Sequence, residues 1–265
     1  MIHTHEAPLE DLHIQEPGRI VDDIRAARQR AGRRFRFFFA LTWIFLVGGL
    51  GLAIFSTGRI DPDFLAKNAP FFLGGVPLTI FVSLMSIVFA VGFALLGALG
   101  RISTTAPVYA TATLYVSLVR GTPLVVQIFF FYAALPQFGI VLEPIVAGIL
   151  ALSFNYGAYM TEIFRAGIQA IPRGQLEAAG ALGMTDRQTL RRIVLPQAVR
   201  IVIPAIGNEF IAMIKDSALV SFVSLQELFW RTRTVGSARF RSFETLIFAA
   251  VGVYLMITGA AELLD

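Results

Sequence analysis

Two uninterrupted apolar runs constrain this chain more than any other feature of its sequence. Residues 37–58 and 68–100 contain no Asp, Glu, Lys or Arg. A helix of about 20 apolar residues crosses the hydrocarbon core of a bilayer, so the first run predicts one membrane span. The second run is too long for one upright span, and Pro77 predicts a division into an interfacial segment at 70–76 and a span at 78–100. The chain is therefore predicted to be an all-α, polytopic membrane protein.

Composition excludes several classes of protein. The chain is 56% hydrophobic and 15% charged, which is not the balance of an ordinary soluble domain. It has no cysteine, and its three histidines all lie within the first 13 residues, so the apolar body offers no thiolate site, metal centre or histidine base. The basic residues cluster beside the apolar runs, and the net charge of +4 therefore indicates contact with membrane lipid rather than with nucleic acid.

The N-terminal region sets the predicted orientation. Seven arginines lie between Arg19 and Arg36, directly before the first apolar run. The positive-inside rule then places a basic segment, residues 1–36, in the cytoplasm, followed by an anchor span at 37–58. One helical face of 19–36 is apolar, which predicts either an amphipathic helix along the inner leaflet or a solvated charged linker. A cleaved signal peptide is not expected, because the apolar run starts too late and is too long.

The rest of the chain predicts four more spans and places both termini in the cytoplasm. The spans are expected at 121–138, 144–161, 201–223 and 245–261, with a partly buried cytoplasmic helix at 102–119. A tilted helix that starts upstream of 121 is the alternative for the first of them. One loop departs from the positive-inside rule, because it would place four arginines outside: Arg231, Arg233, Arg239 and Arg241.

A polar, helix-forming segment at 172–196 interrupts the apolar sequence. Gly183 suits the left-handed stop of a first short helix. Thr185 and Gln188 form a capping-box pattern at the start of a second helix, which Pro196 is expected to close. Two short helices joined at a glycine, between membrane spans, predict a surface that meets another protein in the cytoplasm.

Three stretches resemble known transporter subunits. Glu177-Ala178-Ala179 with Gly183, Ile193 and Leu195-Pro196 resembles the EAA loop of ABC importer permeases. Arg120-Gly-Thr-Pro123 and the stretch 152–167 resemble the polar amino acid branch of that family. Lys215-Asp216-Ser217-Ala218 follows its Lys-Asp-Thr-Ser pattern with two altered hydroxyl positions.

The resemblance covers about residues 70–261 and implies a type I importer transmembrane domain. Such a domain would have five core spans at 70–265, with one extra N-terminal span at 37–58. The chain stops at Asp265, directly after the last predicted span, where family members usually carry a few more basic residues, and the sequence leaves open whether the C-terminus is truncated.

The resemblance also implies a function and partners. The chain would be the permease subunit of an ATP-driven importer of polar amino acids in the bacterial cytoplasmic membrane. Its partners would be a dimer of ABC ATPase subunits, a second permease chain (identical or related) and an extracytoplasmic amino-acid-binding protein. Coupling to the ATPase would fall to Glu177, Ala178, Ala179, Gly183, Asp186, Arg187, Leu195 and Pro196. No Gly-x-x-x-x-Gly-Lys-Ser/Thr loop occurs, so ATP should be bound and hydrolysed by the partner, and the chain should be no enzyme and hold no cofactor.

Polar side chains inside predicted spans are costly and mark candidate sites. On a helix, Asn155, Tyr159 and Glu162 share a face, and Glu209 shares one with Asp216. The predicted substrate path comprises Gln127, Asn155, Tyr159, Glu162, Asn208, Glu209, Lys215 and Asp216. The alternative is that Glu162, Arg165, Lys215 and Asp216 pair with one another at a membrane rim.

Two other classes of function stay open at the level of sequence. A secondary transporter driven by an ion gradient predicts inverted repeats and broken helices, and we find no convincing repeat. A non-transporting scaffold would use the 172–196 loop only to recruit a partner. Lys215 and Asp216 argue against the scaffold, because a passive anchor has no need of charges within the membrane.

Overall fold

A computed structural model describes residues 17–262 apart from Arg59, and side chains from Gly32 onward. The described residues form helices and connecting turns, with no strand among them. The three histidines and the last three residues lie outside this range, so the predictions made for them from the sequence fall outside the described residues. The chain divides after Ile60 into two compact units, and the five predicted core spans at 70–265 all fall in the second.

The described part of the first unit contains one long helix, α1 (Pro17–Ser56). The sequence predicted a basic segment and an anchor span as separate pieces, whereas the backbone continues through both without a break. Gly32 is the only glycine between Arg19 and Phe37, no proline lies there, and the arginines and alanines around it favour helix. Residues 32–56 are apolar enough to span a membrane, and nearly all of their side chains are exposed.

The second unit begins with α2 (Pro62–Leu73) and α3 (Val76–Arg101). The break between them falls at Gly74-Gly75 rather than at Pro77, and the predicted interfacial segment at 70–76 is mostly the end of α2. A Cβ atom on Gly75 would lie 2.5 Å from the backbone nitrogen of Leu228, so glycine is required where these two chain segments meet. Pro77 sits in the first turn of α3, where its missing N–H is not needed.

A sharp bend separates the next two helices, α4 (Ala106–Arg120) and α5 (Leu124–Phe129). The helical path of α5 continues through a wide π turn and a 3₁₀ turn to Phe138. The segments 106–120 and 124–138 meet at 107°, as the predicted division near Gly121 requires. The tilted single helix, the alternative for this region, is therefore wrong.

The central helix of the second unit is α6 (Pro144–Gln169), and it packs along α3. Small side chains allow this close approach, since Gly97 of α3 lies against Thr161 and Gly157 of α6 lies against Phe93. Ala90, Ala94 and other apolar residues of both helices form the core.

The 172–196 loop folds as α7 (Arg173–Ala181) and α8 (Asp186–Thr189). Gly183 has φ +71°, and the Met184 N–H donates to the Ala179 carbonyl at 3.0 Å, which confirms the predicted left-handed stop. The capping box between Thr185 and Gln188 is also confirmed.

Pro196 does not end a helix, so that prediction is wrong. A π turn at Leu190–Val194 leads directly into α9 (Leu195–Asp216), and a 3₁₀ segment continues to Val223. The wide π turn rearranges the hydrogen bonds ahead of Pro196, so its missing N–H and its ring are accommodated.

The chain finishes with α10 (Leu228–Arg239) and α11 (Ser242–Glu262), which pack on each other. Arg241 donates to Asp61 at 2.9 Å and to Glu244 at 3.1 Å, and thereby ties the start of α2 to the start of α11. The backbone N–H of Phe64 and the Arg241 guanidinium lower the pKa of the Asp61 carboxyl. Arg231 donates to two backbone carbonyls. At least two of the four arginines that break the positive-inside rule thus form hydrogen bonds within the protein.

Four helical stretches of the described residues are long and apolar enough to cross a membrane: 32–56, 62–101, 186–223 and 242–262. The bent pair 106–138 is a fifth if it counts as one span. The remaining predicted span is α6, which has 26 residues but carries Ser, Asn and Tyr side chains and is less apolar. These groups are tolerated because α6 is enclosed by other helices rather than by lipid.

Candidate functional site

A polar cavity of about 440 Å³ opens where α4, α5, α6 and α9 come together. Its walls carry both signs of charge, an amide and two phenols. The lining residues are Arg120, Gly121, Thr122, Pro123, Leu124, Asn155, Tyr156, Tyr159, Glu209 and Asp216.

The bend between α4 and α5 creates one wall of the cavity. Pro123 has the extended backbone that proline favours before a helix, with φ −62° and ψ 137°. The Thr122 hydroxyl donates to the Leu118 carbonyl at 3.0 Å. This bond supplies a partner to one of the backbone carbonyls that the end of α4 leaves without an intrahelical hydrogen bond. The chain therefore turns sharply just after Arg120, whose guanidinium lies 5.0 Å from the centre of the Tyr159 ring.

Gln127 lies behind the cavity wall and holds it together. Its Nε2 atom donates to the Val119 carbonyl at 2.8 Å and to both oxygens of Thr122. Its Oε1 atom accepts a hydrogen bond of 3.2 Å from Nδ2 of Asn155. The structure thus separates two residues of the predicted path, because Asn155 lines the cavity and Gln127 does not.

Two carboxylates from α9 face the cavity. Glu209 and Asp216 are seven residues apart and fall on one side of the helix, as predicted. The Tyr156 hydroxyl donates to Oδ2 of Asp216 at 2.8 Å. The lining therefore combines one guanidinium with two carboxylates.

Glu162 lies outside this cavity, although it shares a helix with Asn155. It pairs with Arg101 at 3.2 Å and with Arg165 at 2.7 Å, and Arg101 also donates to Thr113. The ion-pair alternative is therefore confirmed for Glu162 and Arg165. Asp216 accepts from Tyr156 instead of forming the predicted pair.

The two remaining members of the predicted path, Asn208 and Lys215, are exposed on another face of α9. That face lies about 100° around the helix from Glu209 and Asp216. They do not contribute to the cavity as it is formed by one chain.

Three residues that line the cavity are absent from the predicted substrate path: Arg120, Thr122 and Tyr156. In the sequence, the Arg120-Gly-Thr-Pro123 stretch indicated only a family resemblance. Tyr156 is three residues before Tyr159, and this spacing could have placed both on the same side of α6.

The residues predicted to couple to an ATPase are mostly on the surface. Ala179 is buried, whereas the other seven are exposed: Glu177, Ala178, Gly183, Asp186, Arg187, Leu195 and Pro196. The Gln197 side chain donates to that of Gln175 at 2.7 Å, which ties α7 to the first turn of α9. The short helix α7 therefore contacts a helix that lines the cavity.

Comparison with known proteins agrees with this architecture. Residues 90–261 match the family model described as the binding-protein-dependent transport system inner membrane component. The L-cystine transport system permease protein of Bacillus subtilis (strain 168) is 39% identical over 188 residues, which cover 71% of this chain and 80% of the relative. The arginine transport system permease protein of the same organism is 38% identical over 200 residues, which cover 75% of this chain and 91% of the relative.

Among solved structures, an amino acid ABC transporter with histidines is similar over 77% of this chain and 96% of that chain. The TM-score is 0.74 at 38% sequence identity. The fold and the site thus define an ABC importer transmembrane domain. The chain belongs to the family of binding-protein-dependent transport system inner membrane components and is a permease subunit rather than an enzyme. This membership decides against a secondary transporter and a passive scaffold.

Proposed function

We propose that this permease imports polar amino acids across the bacterial cytoplasmic membrane and that its substrate passes through the 440 Å³ cavity. The observation that carries the proposal is the meeting of Arg120, Asp216 and Glu209 in one cavity. An amino acid has a carboxylate and an ammonium group, and these groups match the two signs of charge in the lining. The similarity to permeases of cystine and arginine transport systems supports the same class of substrate.

The balance of charge favours substrates that carry an additional positive group. One guanidinium can receive the substrate carboxylate, while two carboxylates can receive the ammonium and a cationic side chain. Asn155 and Tyr159 complete the proposed site. We propose that Asn208 and Lys215 face a second permease chain or a water-filled path, because an uncovered lysine is costly in lipid.

The proposed partners follow from the exposed 172–196 loop. A dimer of ABC ATPase subunits would dock on it and supply ATP hydrolysis, so the permease itself needs no cofactor. Each closed ATPase dimer offers two docking sites, which requires two permease chains, identical or related. In this arrangement the loop and both termini are cytoplasmic, residues 1–36 form a basic cytoplasmic segment, and a binding protein delivers the amino acid from the other side.

Uptake into proteoliposomes tests the proposal. Vesicles would contain the permease with its co-purified ATPase and would be supplied with binding protein and radiolabelled arginine, glutamine, glutamate or cystine. We expect ATP-dependent uptake, strongest for arginine, and loss of uptake in Asp216→Asn. The proposal is contradicted if an ion gradient drives uptake without ATP. It is also contradicted if none of these amino acids is taken up.

A further inference from the structure

The orientation of the Gln127 side chain is determined by its surroundings. Its amide nitrogen lies 2.8 Å from the Val119 carbonyl oxygen and 3.2 Å from that of Thr122. Carbonyl oxygens can only accept hydrogen bonds, so the NH₂ group must occupy this position and the Gln127 oxygen must lie on the opposite side. With 8% of its surface exposed, Gln127 has no water-filled alternative to these partners.

This orientation is passed on to Asn155. The Gln127 oxygen can only accept, so the Asn155 atom 3.2 Å away must be the donor Nδ2. The other branch of the Asn155 amide is its oxygen, which is left for the cavity that Asn155 lines.

We infer that Gln127 is a positioning residue, which holds Asn155 so that its amide presents an acceptor to the substrate. This inference rests on the proposed function of the cavity. Asn155 then acts with Asp216 and Glu209 as a third acceptor for the positive groups of an amino acid. An Asn155 amide turned by 180° would present NH₂ instead and would favour a carboxylate.

A purely structural role for Gln127 makes a different prediction. The same hydrogen bonds tie the end of α4 to the bend at Thr122 and to α6. If these structural bonds were the whole role of Gln127, their loss would lower the stability of the protein and weaken the binding of every substrate alike. A positioning role instead changes the preference among substrates of different charge.

Gln127→Leu separates these roles, because leucine has a similar volume and leaves Asn155 free to turn. Binding would be measured by calorimetry with arginine and with glutamate, on the permease purified with its ATPase in nanodiscs. We expect arginine affinity to fall about tenfold, the loss of one hydrogen bond to a charged group, with glutamate affinity unchanged or raised because a turned Asn155 presents NH₂ to a carboxylate. Ser153→Ala, which removes a buried hydroxyl bonded to the Ile149 carbonyl of the same helix, is the matched control and should change neither affinity.

Asn155→Asp provides a second arm, because both of its side-chain oxygens accept whichever way it turns. In the presence of Gln127 it places two acceptors against each other, so the new side chain loses its anchoring hydrogen bond and is pushed out of position, and we expect weakened arginine binding. In the Gln127→Leu background that conflict is absent, so the same change should restore arginine affinity. The inference is supported if Asn155→Asp lowers arginine affinity when Gln127 is present and raises it in the Gln127→Leu background.

Two results overturn it. The first is an unchanged ratio of arginine to glutamate affinity in Gln127→Leu, including equal losses for both with a lower melting temperature. The second is additive effects in the double variant. If the parent importer binds neither amino acid, the proposed function itself fails, which is distinguishable from a failure of Gln127→Leu alone.

Discussion

The Tyr156 hydroxyl donates a 2.8 Å hydrogen bond to Oδ2 of Asp216 and joins α6 to the end of α9. Tyr156 is 4% exposed, so water does not compete effectively for this bond, and hydrogen bonds to a carboxylate are stronger than those between neutral groups. The bond holds one oxygen of Asp216 and leaves the other for a ligand.

We therefore expect Tyr156→Phe to raise the KM for amino acid uptake about fivefold with a smaller change in kcat, since one hydrogen bond that orients Asp216 is lost. Uptake kinetics in proteoliposomes would measure this. Tyr115→Phe is the control, because the Tyr115 hydroxyl donates to the Phe154 carbonyl and lies outside the cavity. It should lower stability by about 1 kcal/mol and leave the KM unchanged. Equal KM values in both variants would contradict the role of Tyr156.

The Glu162 cluster should matter for stability rather than for substrate affinity. Glu162→Gln removes the charge between Arg101 and Arg165, whose side chains are only partly exposed. We expect a loss of about 2 kcal/mol, seen as a lower melting temperature in detergent, because two guanidinium groups lose their carboxylate. Substrate affinity should not change. Lys67→Gln removes an exposed charge from α2 and should have little effect on either quantity.

Gly75 and Gly92 offer a direct test of backbone contact between α3 and the start of α10. A Cβ atom on Gly75 would approach the backbone of Glu227 and Leu228 to 2.5–2.7 Å, and backbone atoms cannot move aside cheaply. We expect Gly75→Ala to destabilise the protein by more than about 2 kcal/mol. Gly92→Ala, with nothing within 4 Å of the new methyl group, should be neutral or stabilise by up to about 1 kcal/mol. Thermal unfolding would measure the change in stability of each variant. Similar changes in the two variants would exclude the backbone contact at Gly75.

Gly183→Ala should act on coupling. With φ at +71°, alanine at this position is strained by about 1 kcal/mol in the turn between α7 and α8. We expect less ATPase to co-purify and fewer amino acids to be imported per ATP, with the melting temperature of the membrane part nearly unchanged. Gly180→Ala, within α7 and with open space around the new methyl group, is the control. A normal import ratio in Gly183→Ala would show that this turn is not required for coupling.

Glu227 should make stability depend on pH. Its side chain caps α10 by accepting from Phe229 and Trp230, while burial raises the pKa of its carboxyl to about 7. An acid with a raised pKa in the folded state binds protons more tightly there than when unfolded. Stability should therefore decrease as the pH rises from about 4.5 to about 7 and then level off.

Glu227→Gln should remove this contribution, because glutamine keeps an oxygen that can cap the helix but does not ionise. Melting temperatures between pH 4.5 and 8 would be compared for the parent protein and the variant. A difference between them that stays constant across this range would show that Glu227 does not change its protonation on unfolding.

Local features were predictable because neighbouring residues determine them. Gly183 and the Thr185–Gln188 capping box were placed correctly, since left-handed stops and caps depend on a few adjacent residues. The division near Gly121 was predicted for the same reason. The prediction that Pro196 ends the second short helix was wrong, because the π turn ahead of Pro196 depends on how the loop joins α9. The local sequence pattern does not encode that junction.

The site was predictable only in part. Helical spacing correctly placed Glu209 and Asp216 on one side of α9. The same rule grouped Asn155 with Glu162, which lies on the same helix about 10 Å further along and outside the cavity. The periodicity of a helix gives the direction of a side chain around its axis, and a cavity also depends on which neighbouring helix lies at that height.

The sequence by itself determined that this chain is a helical membrane protein with a polar loop, because hydrophobic length and capping act along the chain. Its motifs also indicated the permease family. Only the tertiary structure decided that Arg120, Asn155 and Asp216 meet at one cavity, that Gln127 lies behind it and that Glu162 belongs to an ion-pair cluster. These arrangements depend on the 107° bend and on the packing of α6 against α3, which bring together residues far apart in the chain.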